Sequence, residues 1–135
     1  MALLVDTGIL YALADADDGW HGRARKWAAQ VREVLLVPVT VLPEAAYLIR
    51  ARLGASAELA FIRSVAAGEL TVESVTVSDL DRSAALMNLY EDIGFVDATV
   101  IAIAERARIG TIATTDRRHF SAVRPRHVAT FTLVP

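Results

Sequence analysis

The chain has 135 residues, of which 54% are hydrophobic, and a formal net charge of −2. This length predicts a single domain over residues 1–135 that buries about two-thirds of the surface of the unfolded chain. The absence of cysteine excludes disulfides, thiolate zinc sites and a cysteine nucleophile. No apolar run approaches the roughly 18 residues of a membrane span, and Asp6 interrupts the opening apolar run, so we expect a cytoplasmic protein with no membrane contact.

Strand and helix signals alternate along the chain. Short apolar runs rich in branched residues predict buried strands, and longer segments with one apolar face predict helices. In chain order, the predicted elements are a strand at residues 2–5, helices at 9–13 and 20–33, a strand at 34–37, helices at 41–53 and 56–67, a strand at 70–75, helices at 78–92 and 98–107, and strands at 111–114 and 128–134. This order predicts a three-layer α/β/α fold with a central, mainly parallel sheet of about five strands.

Several residues are predicted to begin or end these elements. Thr40, Asp79 and Asp97 are expected at helix starts, where their side chains can accept from free amide groups or oppose the helix dipole. Gly110 is expected to end the helix that Asp97 begins. The alternation of apolar and polar residues at 70–75 predicts a half-exposed strand at the edge of the sheet.

Four acidic residues are predicted to share one edge of the sheet. Asp6 and Asp116 directly follow predicted strands, and Glu44 and Asp97 lie at the starts of predicted helices. Each has an ordinary explanation as a turn or helix-start residue, but in a parallel three-layer fold all these positions meet at one edge. Four carboxylates packed together repel one another unless cations are present. Two Mg²⁺ or Mn²⁺ ions, which prefer oxygen ligands, would balance the four charges.

The segments that carry these acids resemble those of a known family. They read LLVDTGILYALAD, VTVLPEAAYLIRARLG, GFVDATVIAIAERARIGTIATTDRRHF and a final FTLVP. Their order and spacing, over essentially the whole chain, resemble PIN-domain proteins of the VapC toxin type. The first two acids of that family match Asp6 within VDTG and Glu44 on the helix after the second strand. The third and fourth match Asp97 of the DA pair and Asp116 behind a threonine-rich strand end.

The resemblance implies an endoribonuclease that is made as a toxin. It implies a Mg²⁺ or Mn²⁺ cofactor at the four acids, hydrolysis of RNA by a metal-activated water, and tRNA as the substrate expected for the family. It also implies silencing by a small VapB-like antitoxin. Together with the high hydrophobic content, the resemblance favours a homodimer and an apolar groove that takes an antitoxin helix.

Residues beside the acids are predicted to assist them. Thr7 and Thr115 are predicted to orient the metal-bound carboxylates. Arg117 and Arg118 are predicted to hold RNA phosphates, with the equal alternative that they are ordinary surface arginines. A metal site of this kind needs no histidine as general base, so the three histidines are expected at the periphery, and only His119 is retained as an RNA-contact alternative.

Two other classes of function match part of the pattern. A phosphoryl-accepting receiver domain would need adjacent acids after the first strand and a late lysine, but this chain has VDTG and no lysine after Lys26. A nuclease-like fold that survives only as an RNA-binding or scaffold module remains an alternative. Titration with a divalent metal distinguishes that module from an enzyme.

Overall fold

The computed structural model describes residues 1–135 and contains five strands and seven helices. The strands are β1 (Ala2–Val5), β2 (Val34–Pro38), β3 (Thr71–Glu73), β4 (Thr111–Ala113) and β5 (Thr132–Val134). The helices are α1 (Thr7–Ala14), α2 (His21–Gln30), α3 (Val41–Leu53), α4 (Ala55–Ala66), α5 (Val77–Leu89), α6 (Phe95–Ala107) and α7 (Arg117–Ala122).

The five strands form one all-parallel sheet in the order β3-β2-β1-β4-β5, which confirms the predicted three-layer fold. In the centre, Leu4 of β1 lies opposite Leu36 of β2 on one side and Ile112 of β4 on the other. The chain therefore adds β2 and β3 on one side of β1 and then adds β4 and β5 on the other side. The carboxyl ends of β1 and β4 flank the resulting switch point, which is where open parallel sheets bind ligands.

Helix α6 and the sheet supply much of the core, to which the other helices also contribute buried residues. Leu4, Ile101 and Ile112 are fully buried, and every residue of α6 from 98 to 104 is buried. A helix that is apolar on all sides is one that the fold encloses, so α6 has little freedom to move relative to the sheet. None of the seven helices has the length and apolar character that crossing a membrane requires.

The start of α6 and the residue that caps its end differ from the prediction. The helix begins at Phe95 with Gly94 as its N-cap, so Asp97 lies inside the first turn and does not cap the helix. Its last residue is Ala107, as predicted, but the residue that caps this end is Arg108, whose φ of 57° is left-handed, and not Gly110. Gly94 is the last residue with an extended backbone, and the helical conformation begins at Phe95, two residues before Asp97.

The other predicted boundaries are confirmed in part. Thr40 precedes α3, but its hydroxyl caps nothing and lies 2.6 Å from the hydroxyl of Thr99. Asp79 does lie at the start of α5, where it and Thr76 form a reciprocal capping box. The edge strand predicted at 70–75 is present as the shorter β3, and the last strand covers only Thr132–Val134.

Two ion pairs that the sequence did not reveal join α5 to α6. Arg106 Nε lies 3.0 Å from Oδ1 of the buried Asp79, and Arg82 Nε lies 2.7 Å from Glu105 Oε1. Burial alone would raise the pKa of Asp79, but its bonds to Arg106 and Thr76 hold that pKa below its ordinary value. These pairs fix α6, which carries Asp97, against α5.

Candidate active site

A cleft of about 460 Å³ opens at the carboxyl edge of the sheet. The four acids singled out in the sequence all line it: Asp6, Glu44, Asp97 and Asp116. They come from the ends of β1 and β4 and from the first turns of α3 and α6. Residues separated by up to 110 positions in the chain thus meet in one cavity at the switch point of the sheet.

Asp6 is the most buried of the four acids, with 4% of its surface exposed. Its Oδ2 accepts a hydrogen bond from the hydroxyl of Thr114 at 3.0 Å, whereas its buried Oδ1 has no partner. Burial raises the pKa of Asp6 to about 7, and the negative charge of Asp97 contributes in the same direction. A buried carboxylate oxygen without a donor is costly, so this oxygen is suited to a cation.

Asp97 is partly buried beside the next acid. Burial raises the pKa of Asp97 to about 6; the charge of Asp116 adds to this increase, and the nearby His119 opposes it. Two carboxyl groups with raised pKa values in one cleft are typical of a functional site. Glu44, by contrast, is exposed at the rim of the cleft.

His119 was expected at the periphery, and the structure places it among the acids. Its Nδ1 lies 2.7 Å from Oδ2 of Asp116 and 3.6 Å from Oδ2 of Asp97. These three residues offer ligand atoms that all lie within 4.8 Å of one another. Asp116 caps α7 and accepts from the backbone N–H of His119 at 3.1 Å. The spacing of three residues between Asp116 and His119 was therefore the sequence signal that could have placed His119 beside this acid.

Thr114, which the sequence analysis did not single out, connects two of the acids. Its hydroxyl donates to Asp6 and accepts from the backbone N–H of Asp116 at 2.9 Å. Thr7 and Thr115, which were singled out, line the cleft. A Cβ on Gly8 would overlap with the hydroxyl oxygen of Thr115, so a larger residue there would force the side chain of Thr115 to move.

Neither of the two arginines predicted to hold phosphate lines the cleft. Arg117 donates to the backbone carbonyl of Pro135, and its guanidinium lies 5.8 Å from the ring centre of Trp20. Arg118 lines a smaller pocket next to the cleft. A role for either arginine in RNA binding stays a prediction.

The side chains of the cleft are suited to a hard divalent cation such as Mg²⁺ or Mn²⁺. Carboxylate oxygens are the ligands that both ions prefer. The unpartnered Oδ1 of Asp6 and the closely spaced carboxylates of Asp97 and Asp116 provide such atoms. The residues present therefore match the predicted metal.

Residues 3–124 match the family described as PIN domain, and the chain therefore belongs to the PIN-domain family. The chain is 35% identical to Ribonuclease VapC26 of Mycobacterium tuberculosis; the match covers 98% of this chain and 100% of that protein. The predicted resemblance to VapC-type proteins is thus confirmed.

Solved structures agree with this assignment. VapC20 of Mycobacterium tuberculosis, described as a toxin that cleaves the sarcin-ricin loop, superposes with a TM-score of 0.77 at 27% identity, over 82% of this chain and 86% of that one. FitAcB from Neisseria gonorrhoeae gives a TM-score of 0.70 at 16% identity, over 100% of this chain and 97% of that one. A toxin-antitoxin complex from Klebsiella pneumoniae gives 0.69 at 18% identity, over 90% and 92%. The last two show the fold alone.

Proposed function

We propose that this protein is the ribonuclease toxin of a toxin-antitoxin pair and that it hydrolyses RNA phosphodiester bonds with Mg²⁺ or Mn²⁺ held by the four acids of the cleft. The observation that supports this most strongly is that all four acids line one cavity at the switch point of the sheet. Membership of the PIN-domain family and a full-length relative that is a ribonuclease support the same reaction.

In this proposal the residues of the cleft hold the metal by different means. Asp6, fixed by Thr114, presents its free Oδ1, and Asp97 and Asp116 present carboxylates that are partly exposed to the cleft. When bound, the metal supplies Lewis acidity at the phosphate and a nucleophilic water at neutral pH. In this proposal His119 orients the carboxylate of Asp116, and Thr7 and Thr115, which line the cleft, orient the carboxylates once the metal is bound.

The purified protein is expected to cleave single-stranded or looped RNA only when Mg²⁺ or Mn²⁺ is present. EDTA should abolish cleavage, and Asp6→Asn should slow it by at least about 100-fold, because asparagine keeps the bond from Thr114 but loses the charge that attracts the cation. Gel analysis of end-labelled RNA measures both effects.

The matched control for this experiment is Asp81→Asn. Asp81 is an exposed acid of α5 that does not line the cleft, so its variant should cleave at the wild-type rate. Cleavage that persists in EDTA, or an Asp6→Asn variant as active as Asp81→Asn, would rule out the metal mechanism.

The proposed substrate is a structured cytoplasmic RNA that presents an unpaired loop. Two candidate substrates are to be compared in the cleavage assay. One is tRNA, as expected for the family, and the other is a sarcin-ricin loop oligonucleotide, because VapC20 is described as cleaving that loop. Sequence-specific RNA recognition depends on splayed bases and shape, so the two substrates should differ strongly in rate.

We propose that an antitoxin binds an apolar groove that lies apart from the acids. The groove measures about 310 Å³, and large apolar side chains line it: Leu10, Leu13, Leu35, Phe61 and Leu70. An amphipathic helix of a partner would bury its apolar face there, and a basic residue of that partner reaching the acids would replace the metal charge. The adjacent reading frame is expected to encode this partner as a short protein with a DNA-binding amino-terminal part.

Leu13→Asp is expected to weaken binding of that antitoxin by at least about tenfold, because it places a charge where an apolar side chain should be buried. Leu13→Met, which keeps the volume, is the control and should bind as the wild type does. Calorimetric titration with the purified partner measures the affinity. Equal affinity of the three proteins would place the antitoxin elsewhere, and cleavage assays on free Leu13→Asp verify that its fold is intact.

We also propose a homodimer formed through the outer face of α5. Val77, Leu80 and Met87 are exposed there at helical spacing, Val77 by 76%. Light scattering at micromolar concentration should give the mass of a dimer, and Leu80→Glu should shift the protein toward the monomer. A wild-type protein that is a stable monomer would contradict this part of the proposal.

A further inference from the structure

A second pocket adjoins the acid cleft, and His119 lines both cavities. This pocket measures about 270 Å³ and lies between the end of α5, the loop that leads to α6, and α7. Its volume is below the roughly 300–1,000 Å³ of sites that enclose drug-sized ligands. A single planar base is therefore the kind of group that it can hold.

The pocket walls suit such a ring. Leu89 and Ile93 supply apolar surface, and Leu89 is 67% exposed although it is a large apolar side chain. Tyr90 supplies an aromatic side chain whose hydroxyl accepts from the backbone N–H of Arg124 at 3.1 Å, and Arg118 supplies a planar guanidinium. Unpaired RNA bases stack on aromatic rings and on guanidinium planes.

Two acids of the pocket favour a base over a phosphate as its ligand. Glu91 and Asp92 are exposed, and neither belongs to an ion pair. Free carboxylates repel phosphate, but they accept from the N–H groups of a base edge. Guanine carries an N–H and an amino group side by side, a pair of donors that matches the two oxygens of one carboxylate.

We propose that this pocket binds the guanine base of a nucleotide next to the phosphate that is cleaved. The proposal rests on the ribonuclease function and specifies how that site selects RNA. Because His119 lines both cavities, a group bound in one cavity and a group bound in the other would be separated by about the width of one side chain. That is the separation between a base and the phosphate group of the same or the neighbouring nucleotide, so one RNA strand can occupy both cavities.

Cleavage of a randomised single-stranded RNA library tests this selection. Sequencing of the products should show guanine enriched at one of the two positions that flank the cut. In the double variant Glu91→Gln/Asp92→Asn this enrichment should fall by about tenfold, within the range of one well-paired base contact, while preferences at other positions stay unchanged. Asp81→Asn is the control with wild-type preference. A wild-type protein without guanine enrichment beside the cut, or a double variant that keeps it, would overturn the proposal.

A binding experiment separates this proposal from the ribonuclease function itself. In EDTA, guanosine should shift the methyl NMR signals of Leu89 and Ile93 in the full-length wild-type protein, and uridine at equal concentration should shift them at least about threefold less, since its edge offers one donor instead of two. The double variant should lose this difference. Equal shifts for both nucleosides, or none, would refute the guanine pocket. A selective guanosine response in a protein that cleaves no RNA would instead refute the proposed reaction.

Discussion

In metal-free buffer the Asp97→Asn variant should unfold at a higher temperature than the wild-type protein, although it should no longer cleave RNA. Burial and the charge of Asp116 raise the pKa of Asp97 to about 6, so its ionised form destabilises the fold. Asparagine has nearly the same volume and no charge. We expect a gain of about 1–3 kcal/mol near neutral pH, reduced by about 0.3–1 kcal/mol because a negative charge in the first turn of α6 favours the helix.

The pH dependence of this gain has a definite sign. Below about pH 4 the carboxyl group of Asp97 is protonated in both the folded and the unfolded protein, so the two variants should be equally stable. Between about pH 4 and 6 the folded wild type binds more protons than the unfolded chain, and its stability falls as the pH rises. The advantage of Asp97→Asn should therefore grow over this window and level off above it. Asp6, with its pKa raised to about 7, should extend the decline of the wild type to about pH 7, and the decline of Asp97→Asn should end at a lower pH because the charge of Asp97 contributes to that raised pKa.

Excess Mg²⁺ should reverse the order of the two proteins. A cation that binds only the folded state stabilises it in proportion to its affinity, and the intact set of acids should bind it more tightly. Thermal melts of both proteins in EDTA and then in Mg²⁺, near neutral pH, measure this reversal. An Asp97→Asn variant that is less stable than the wild type in EDTA would mean that the four acids do not share one repulsive site.

Phe120→Ala should lower the free energy of unfolding by about 3–5 kcal/mol and the melting temperature by about 10–20 °C. Phe120 is fully buried, and its ring packs edge-on against Phe131 with the ring centres 6.5 Å apart. It is the one buried residue of the six in α7, the helix that carries His119 and begins at Asp116. Its truncation should therefore release both side chains from the cleft and reduce cleavage as well as stability.

The control for this variant is Phe120→Leu, which retains most of the apolar volume. It should lose only about 1–2 kcal/mol. Chemical denaturation measures both differences, and cleavage assays well below the melting temperature show whether the cleft is affected. An alanine variant that melts within a few degrees of the wild type would show that Phe120 does not anchor α7.

The placement of the acids was predictable because element boundaries determine it. Asp6 had to follow the first buried strand, and Asp116 had to follow a later one, so a parallel sheet brings them to the same edge. Glu44 in its first helical turn was predictable for the same reason. Which strands are neighbours was not predicted, yet β1 and β4 pair directly, and this pairing is what brings Asp6 close to Asp116.

What the sequence did not reveal depends on side-chain contacts across the chain. Thr114 reads as the last residue of an apolar run, and only the pairing of β1 with β4 shows that its hydroxyl reaches Asp6. His119 was expected at the periphery because a metal site of this kind needs no histidine as general base. The helix α7, which was not predicted, turns its imidazole back toward Asp116. Arg106 lies 27 positions from Asp79, and no local pattern links them.

Titration of the metal-free protein with Mn²⁺ in a calorimeter tests the central claim, that the four carboxylates form one divalent-metal site. The account predicts saturable binding that is weakened at least about tenfold by Asp6→Asn and by Asp97→Asn and left unchanged by Asp81→Asn. At about pH 6 binding should also release protons, because the raised pKa values of Asp6 and Asp97 leave both partly protonated there. A wild-type protein that shows no saturable binding, or binding that neither cleft variant weakens, would contradict the claim.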